Sequence, residues 1–221
     1  MSSCSASSGS ASIADPAIKH LRAVDPVLGA LIDRLDGVEL PDRSDRPKPG
    51  EHYAALVRTI VGQQLSVKAA RSIWLRVVEH FGGQPPTPQQ VLEADPEELR
   101  AAGGLSRSKT VYLRSLAEHV LDGSLELDRL EELDDDAVIA ELVAVKGIGE
   151  WSAHMFLMFQ LGRPDVLAPG DLGIRRGVQI TYGGLEEMPT PAEVIERAEV
   201  WRPYRTAACM YLWRSIDAPP Q

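Results

Sequence analysis

Residues 142–153 read LVAVKGIGEWSA and place two glycines, Gly147 and Gly149, between two apolar segments of helical periodicity. Glycine adopts the backbone angles of a tight turn, and a short turn of this kind joins two antiparallel helices. We expect Ile148 to enter the core while backbone N–H groups face outward at the start of the second helix. Such a helix N-terminus binds phosphate without a basic side chain. The pattern alone also suits a helix-turn-helix connection that binds no ligand, so both interpretations stay open.

A second informative stretch, residues 165–176, reads DVLAPGDLGIRR. An apolar segment and a Pro-Gly turn precede Asp171, which stands at the predicted start of a helix. A carboxylate in this position can face a cleft, although Asp is also a favoured N-cap residue. The two roles are compatible, and the residues alone do not decide between them.

Apolar residues recur at helical spacing along most of the chain, for example across residues 56–61, and no convincing strand pair is visible. Two short helices are predicted after Asp15-Pro16 and Asp25-Pro26, and Ser66 is a predicted N-cap between two longer ones. The pattern predicts an all-α fold of about ten helices. Those expected after residue 90 span 95–102, 107–121, 135–145, 150–161, 172–181, 190–200 and 204–216.

Composition narrows the class of protein. With 221 residues and 44% hydrophobic content the chain can bury a core. It has no apolar run long enough for a membrane span and no basic, apolar leader, so we expect a cytoplasmic protein, associated with the nucleoid if the source is a prokaryote. Cys4 and Cys209 are too few for a disulfide framework or a four-cysteine cluster, and Cys209 is expected in the core.

The Ser-rich residues 1–12 are predicted to be a disordered tail, and the Pro-rich residues 41–50 a boundary between lobes.

The net charge of −9 by itself argues against a nucleic-acid partner, because phosphate contacts come mainly from Lys and Arg. The charge is unevenly distributed, however. Residues 126–141 contain eight acidic residues against Arg129 alone, and we interpret this acidic run as a solvated surface turned away from any DNA. Residues 104–114 and 201–214, in contrast, each carry three basic residues and no acid. Local basic patches therefore remain available.

Two further stretches, IVGQQLSVKAA at 60–70 and LRAAGGLSRSK at 99–109, complete a pattern of four motifs. In this order they resemble the helix-hairpin-helix–Gly/Pro/Asp superfamily of DNA glycosylases, in particular its alkylbase, or DNA-3-methyladenine glycosylase II, type. The resemblance runs from about residue 50 to 214. It implies two helical lobes flanking a DNA- and base-binding cleft, with a helix-hairpin-helix motif and without a separate amino-terminal β domain. One lobe would comprise 13–50 with 161–217, and the other 51–160.

The resemblance also assigns roles to single residues. Asp171 matches the catalytic aspartate, and the hairpin around Gly147, Ile148 and Gly149 matches the phosphate-binding hairpin. In the family the carbonyls of such a hairpin often hold a monovalent cation, which by position would be bound here by Val143, Val145 and Gly147. Residues 63–65 match the wedge that fills the gap left by the flipped base, and we favour Gln64 and Leu65 for that role.

Other positions bear on substrate and product. Trp151 and Trp213 match positions that line the base pocket in the alkylbase type, and Met155 lies where the pocket varies. Bifunctional relatives have a lysine where this chain has Trp151, so the resemblance implies hydrolysis without strand cleavage. Lys146 replaces a proline that is frequent in relatives, and we interpret it as a phosphate contact. Arg107 and Lys109 are predicted to contact phosphate as well, although an exposed basic turn would look the same.

The expected function is therefore hydrolytic removal of alkylated purines, such as 3-methyladenine and 7-methylguanine, from double-stranded DNA by base flipping, leaving an abasic site. We expect a monomer without a membrane partner, catalytic cofactor or iron–sulfur cluster. The alternatives are a glycosylase for oxidised or mismatched bases, a non-catalytic DNA-binding protein, and a helical protein whose acidic run binds a basic partner.

Overall fold

The computed structural model describes residues 14–35, 38, 51–183 and 186–217. Within these residues the secondary structure is helical and contains no β-strand, which confirms the predicted all-α class. None of the helices found there is long and apolar enough to cross a membrane. Their bounds are α1 Ala14–Val24, α2 Pro26–Arg34, α3 His52–Gly62, α4 Val67–His80, α5 Pro88–Glu93, α6 Pro96–Gly103, α7 Arg107–Leu121, α8 Asp135–Ala144, α9 Glu150–Phe159, α10 Leu172–Tyr182, α11 Pro191–Ala198 and α12 Arg205–Asp217. The predicted tail at 1–12, the predicted linker at 41–50 and Cys4 lie outside the described residues.

The described part of the chain holds twelve α-helices where about ten were predicted, and α5 is the one at which no helix was expected. Its surroundings, QPPTPQQ at 84–90, are typical of a loop by composition. Thr87 nevertheless starts a helix, because its hydroxyl accepts from the amide of Gln90 and the Gln90 side chain accepts from the amide of Thr87. Pro88 then occupies the first turn, where a missing N–H costs nothing.

The chain divides into two compact units, one formed by residues 1–45 with 164–221 and the other by residues 46–163. We call them the terminal unit and the central unit. The terminal unit contains α1, α2 and α10 to α12, and the central unit contains α3 to α9.

The central unit is organised around α3. Its apolar side chains at Leu56, Val57, Ile60 and Val61 are buried, as the periodicity predicts, and the helix packs against α4 and α7. Ser66 caps α4 by accepting from the amide of Ala69, which confirms the predicted cap. Helices α8 and α9 pack against each other and are joined by residues 145–149.

In the terminal unit a buried carboxylate joins three elements. Asp25 caps α2 through the amides of Val27 and Leu28, and it also accepts from the indole of Trp201 at 2.8 Å and from the hydroxyl of Tyr182. Burial acts to raise the pKa of Asp25, but these hydrogen bonds outweigh it and lower the pKa below its ordinary value. The charged form of Asp25 therefore ties α2 to α10 and to the short 3-10 helix Glu199–Trp201.

Helices α10 and α12 approach each other closely at two glycines of α10. A Cβ at Gly177 would lie 2.4 Å from the carbonyl oxygen of Leu212, and one at Gly173 would lie 2.8 Å from Cδ1 of Trp213. The two glycines are four residues apart and so share one face of α10. Cys209 of α12 is fully buried, which confirms its predicted place in the core.

Candidate active site and nucleic-acid interface

The connection between α8 and α9 is a tight hairpin. The amide of Ile148 donates to the carbonyl of Val145 at 3.0 Å, and Gly147 has φ +92°, so residues 145–148 form a turn with a left-handed third residue. Ile148 is only 4% exposed, which confirms that it enters the core. Gly149 is the N-cap of α9 and supplies no side chain to cap the first amides. An uncapped helix N-terminus of this kind suits a phosphate oxygen.

The two glycines of the hairpin differ in the space available for a side chain. A Cβ at Gly147 would fall 2.2 Å from Cγ of Tyr112, so the phenol ring of Tyr112 packs directly on this backbone. A Cβ at Gly149 would meet nothing within 4 Å. Helix α7 supports the hairpin a second time through Ser115, whose hydroxyl accepts from the amide of Lys146 at 3.3 Å. The hairpin is thus held against α7 on one side while Gly149 borders open space.

A second turn follows the end of α3 and carries the predicted wedge. The amide of Leu65 donates to the carbonyl of Gly62 at 3.3 Å. Gln64 adopts φ +58°, a left-handed backbone conformation that residues other than glycine rarely take. Gln64 is exposed, and Leu65 is 37% exposed although it is apolar. Gln63 lies between them and Gly62, and its amide Nε2 donates to the carbonyl of Gly147 at 2.8 Å. We refer to residues 62–65 as the wedge turn.

The basic residues predicted to contact phosphate fall into two groups. Arg107, at the start of α7, and Lys146, in the hairpin, are exposed. Lys109 is half-buried, and its Nζ donates to the carbonyl of Val61 at 2.8 Å near the end of α3. Burial lowers the pKa of Lys109. Its ammonium group is therefore already used to hold the last turn of α3.

Asp171 is the N-cap of α10, as the sequence predicts. Its Oδ1 accepts from the amide of Ile174 at 2.7 Å and from the indole Nε1 of Trp213 at 2.7 Å. The close approach of the indole depends on Gly173, because a Cβ there would lie 3.0 Å from both Nε1 of Trp213 and Oδ1 of Asp171. Two donors on one oxygen fix the orientation of the half-buried carboxylate.

The predicted pocket residues of the central unit lie on α9. Trp151 is in the first turn and is 49% exposed, and Met155 follows one turn later and is half-buried. Residues four apart share a face of a helix, so Trp151 and Met155 present one continuous apolar surface. Trp213, in the terminal unit, is half-buried and is bonded to Asp171 as described.

The hairpin carbonyls that would bind a monovalent cation are partly in use. The carbonyl of Val145 accepts from Ile148, and that of Gly147 accepts from Gln63. Each carbonyl oxygen has two lone pairs, so one hydrogen bond to it does not by itself exclude a second, cationic partner. No cluster of three His, Cys, Asp or Glu side chains suited to a metal occurs in the part of the chain described.

Two contacts of this site were not predicted from the sequence. The family resemblance places Trp213 in the wall of the base pocket but does not indicate its bond to Asp171, and it favours Gln64 and Leu65 over Gln63. Gly173 was the available signal for the first contact, since a glycine two residues after an N-cap Asp permits close approach of another side chain. Nothing local marks Gln63, because its partner is 84 residues away.

Comparison with known proteins decides the family. Residues 57–203 match the model of the HhH-GPD superfamily of base excision DNA repair proteins. The chain belongs to this superfamily. It is 37% identical to DNA-3-methyladenine glycosylase 1 of Schizosaccharomyces pombe, over 89% of this chain and 85% of that protein. It is 34% identical to the DNA-3-methyladenine glycosylase of Saccharomyces cerevisiae, over 91% of this chain and 70% of that protein.

Solved structures of superfamily members agree with this assignment. A DNA-3-methyladenine glycosidase from Bacillus halodurans has a TM-score of 0.80 and 41% identity, over 92% of this chain and 90% of that one. The 3-methyladenine DNA glycosylase of S. pombe in complex with abasic DNA has a TM-score of 0.80 and 35% identity, over 92% of this chain and 97% of that one. The superfamily predicted from four sequence motifs is confirmed.

Proposed function

We propose that this chain is a DNA glycosylase that hydrolyses the N-glycosidic bond of alkylated purines in double-stranded DNA. Its relatives in the superfamily are named DNA-3-methyladenine glycosylases, and one is described in complex with abasic DNA. The observation that carries the proposal is the geometry of Asp171, whose carboxylate is fixed by donors from Ile174 and Trp213. Capping of α10 accounts for the bond from Ile174, but it does not require the second donor from Trp213, which holds the carboxylate in one orientation.

Asp171 is the proposed catalytic residue. When the bond to the base breaks, the sugar acquires positive charge, and a fixed carboxylate stabilises that charge without reorganising. The bonds from Ile174 and Trp213 hold Oδ1, so α10 and α12 together set the orientation of this carboxylate.

Trp151 is proposed to contact the flipped base. An alkylated purine is often cationic, and an indole face attracts a cation by about 0.5 to 2 kcal/mol. Trp151 has the exposed surface for such a contact, and Met155 extends the same surface. Because the positive charge also makes the base a good leaving group, the site needs little help from a general acid.

DNA is proposed to bind the central unit through backbone amides of the hairpin, with Arg107 and Lys146 as additional phosphate contacts. Gln64 and Leu65 of the wedge turn would fill the space that the flipped nucleotide leaves. Flipping costs a few kcal/mol and is cheapest at weakened pairs, so part of the lesion selectivity comes from the DNA. A monovalent cation on the carbonyls of Val143, Val145 and Gly147 would brace the hairpin against phosphate.

The proposed reaction ends at an abasic site. The position that holds the Schiff-base lysine in bifunctional relatives is Trp151, and Lys146 precedes the turn. Water is then the nucleophile, and the DNA strand stays intact. We propose that the protein acts as a monomer.

The test is release of methylated bases from alkylated duplex DNA by the wild type and by Asp171→Asn, with strand integrity followed in the same reactions. Asn caps helices as well as Asp does, so the variant should keep its fold. We expect base release by the wild type alone, with strand breaks only after alkali. No release by a wild type that binds DNA would indicate a binding protein or another lesion class, and direct strand breaks would contradict the proposed product.

A further inference from the structure

The wedge turn and the hairpin are joined by one hydrogen bond. Both are four-residue turns with a left-handed third residue, Gln64 in the first and Gly147 in the second. The side chain of Gln63, the second residue of the wedge turn, donates to the carbonyl of that Gly147 at 2.8 Å. The two turns lie far apart in sequence, and the contact is partly buried.

The backbone conformation of the wedge turn requires stabilising contacts with residues outside the turn. Gln64 holds φ +58° without being glycine, a backbone state that persists only where the surroundings impose it. Two contacts brace this end of α3: Lys109 Nζ holds the carbonyl of Val61, and Gln63 Nε2 holds that of Gly147. Of these, only the Gln63 bond reaches from the wedge turn itself to the hairpin.

We propose that Gln63 is a positioning residue that couples phosphate binding at the hairpin to insertion of the wedge turn into the duplex. The inference rests on the proposed function, because it needs both turns to contact DNA. A phosphate drawn to the hairpin amides fixes Gly147, and Gln63 then holds Gln64 and Leu65 in the geometry that enters the base stack. Gln63 acts through its neighbours and has no contact with the reacting atoms.

If Gln63 couples the two turns, its loss should slow base release most where the target base is firmly stacked. We would prepare Gln63→Met, which keeps the length of the side chain but cannot donate, and measure single-turnover release of 7-methylguanine. One duplex is fully paired, and the other has an abasic analogue opposite the lesion, so that little stacking opposes flipping. A 2-aminopurine beside the lesion reports unstacking by fluorescence.

We expect release from the paired duplex to slow about tenfold, the loss for one hydrogen bond, with an equal slowing of the fluorescence rise. Release from the duplex with the abasic analogue should stay within about twofold of wild type, as should affinity for undamaged DNA. Gln89→Met is the matched control, because Gln89 is exposed on α5 and bonds only its neighbour Glu93 in the contacts found there. Its kinetics should equal those of the wild type.

Equal losses on both duplexes would overturn the proposal, because they would indicate a general structural role, and so would an unchanged rate on the paired duplex. If Gln63→Met fails to fold, Gln63→Glu, which also lacks the donor, serves in its place. Failure of the proposed function would look different, since the wild type itself would release no base. The unstacking signal of wild type and variant would then still test the coupling.

Discussion

The indole Nε1 of Trp213 lies 2.7 Å from Oδ1 of Asp171, so a residue of α12 orients the carboxylate that caps α10. Through this bond Trp213 holds the carboxylate of Asp171 in place, a role separate from the predicted one of lining the base pocket. Any aromatic ring can stack on a purine, but only indole places an N–H at this point. The two roles can be separated by substitution.

Trp213→Phe keeps an aromatic surface and removes the donor. We expect kcat for base release to fall about tenfold, because Asp171 keeps the amide of Ile174 but loses a charge-assisted hydrogen bond. KM should change less than about threefold, because stacking is retained. Steady-state kinetics give both values, and Trp74→Phe, in α4, is the matched control. A rise in KM at constant kcat would mean that the indole serves only to bind the base.

Gly147→Ala and Gly149→Ala should separate a structural glycine from a functional one. At Gly147 an added Cβ would overlap the ring of Tyr112 and the backbone has φ +92°, so we expect a loss of about 2 to 4 kcal/mol in the free energy of unfolding. At Gly149 the φ is −103° and the space is open, so the loss should stay below about 1 kcal/mol. Urea unfolding measures both.

The Gly149→Ala variant also tests where phosphate binds. If the open space at Gly149 is where the DNA backbone approaches, its Ala variant should bind duplex DNA about tenfold more weakly while remaining folded, since a Cβ would stand between phosphate and the amides. Fluorescence anisotropy with labelled duplex is the measurement. Unchanged affinity would remove the N-terminus of α9 from the proposed interface.

Trp151→Ala should matter most for cationic bases. We expect release of 7-methylguanine to slow about fivefold more than release of hypoxanthine, which is neutral, because the variant loses cation–π attraction in addition to stacking. The two bases are compared at one position of the same duplex under single-turnover conditions. Equal losses would show that Trp151 acts by apolar contact alone.

His52 should make stability depend on pH. It is fully buried, its ring meets Phe156 edge-on with centroids 5.4 Å apart, and Nε2 is 3.7 Å from Glu131, beyond hydrogen-bond distance. Burial lowers the pKa of His52 below its ordinary 6.5, and the charge of Glu131 opposes this shift only in part. Below pH 6.5 the unfolded chain therefore binds a proton that the folded chain does not, so stability is complete above that pH and is lost as pH falls toward the folded pKa.

The measurement is urea unfolding at pH 7.0 and 5.5 for the wild type and His52→Leu. The variant should lose less stability between these pH values than the wild type does. A residual loss is expected from His154, whose pKa burial also lowers. Identical losses in both proteins would show that His52 does not titrate as described.

Local patterns predicted local structure well. Ile148 between its glycines, Ser66 before α4 and Asp171 before α10 occupy the positions expected of them, because turns and caps depend on a few neighbouring residues. The catalytic role of Asp171 came from family resemblance and stays a prediction. Helix α5 was missed because its prolines are typical of loops.

The sequence did not predict contacts between residues that are far apart along the chain. Lys109 is basic and follows a glycine pair, which favours a phosphate contact, yet its ammonium bonds the carbonyl of Val61, 48 residues away. Trp213 and Asp171 are separated by 42 residues. Such pairs depend on how helices pack, and periodicity along one segment carries no information about the register of another.

The direction of α8 has a consequence for an acidic protein that must meet a polyanion. Asp134 caps this helix, Asp135 and Asp136 lie in its first turn, and the hairpin follows its last residue, Ala144. Ten residues of helix separate these carboxylates from the hairpin by about 15 Å, nearly twice the screening length of about 8 Å at physiological ionic strength. At that distance salt screens most of the repulsion between these three carboxylates and a duplex bound at the proposed hairpin interface. A duplex that approaches the other end of α8 would meet the three carboxylates directly, so their repulsion would favour approach at the proposed hairpin interface.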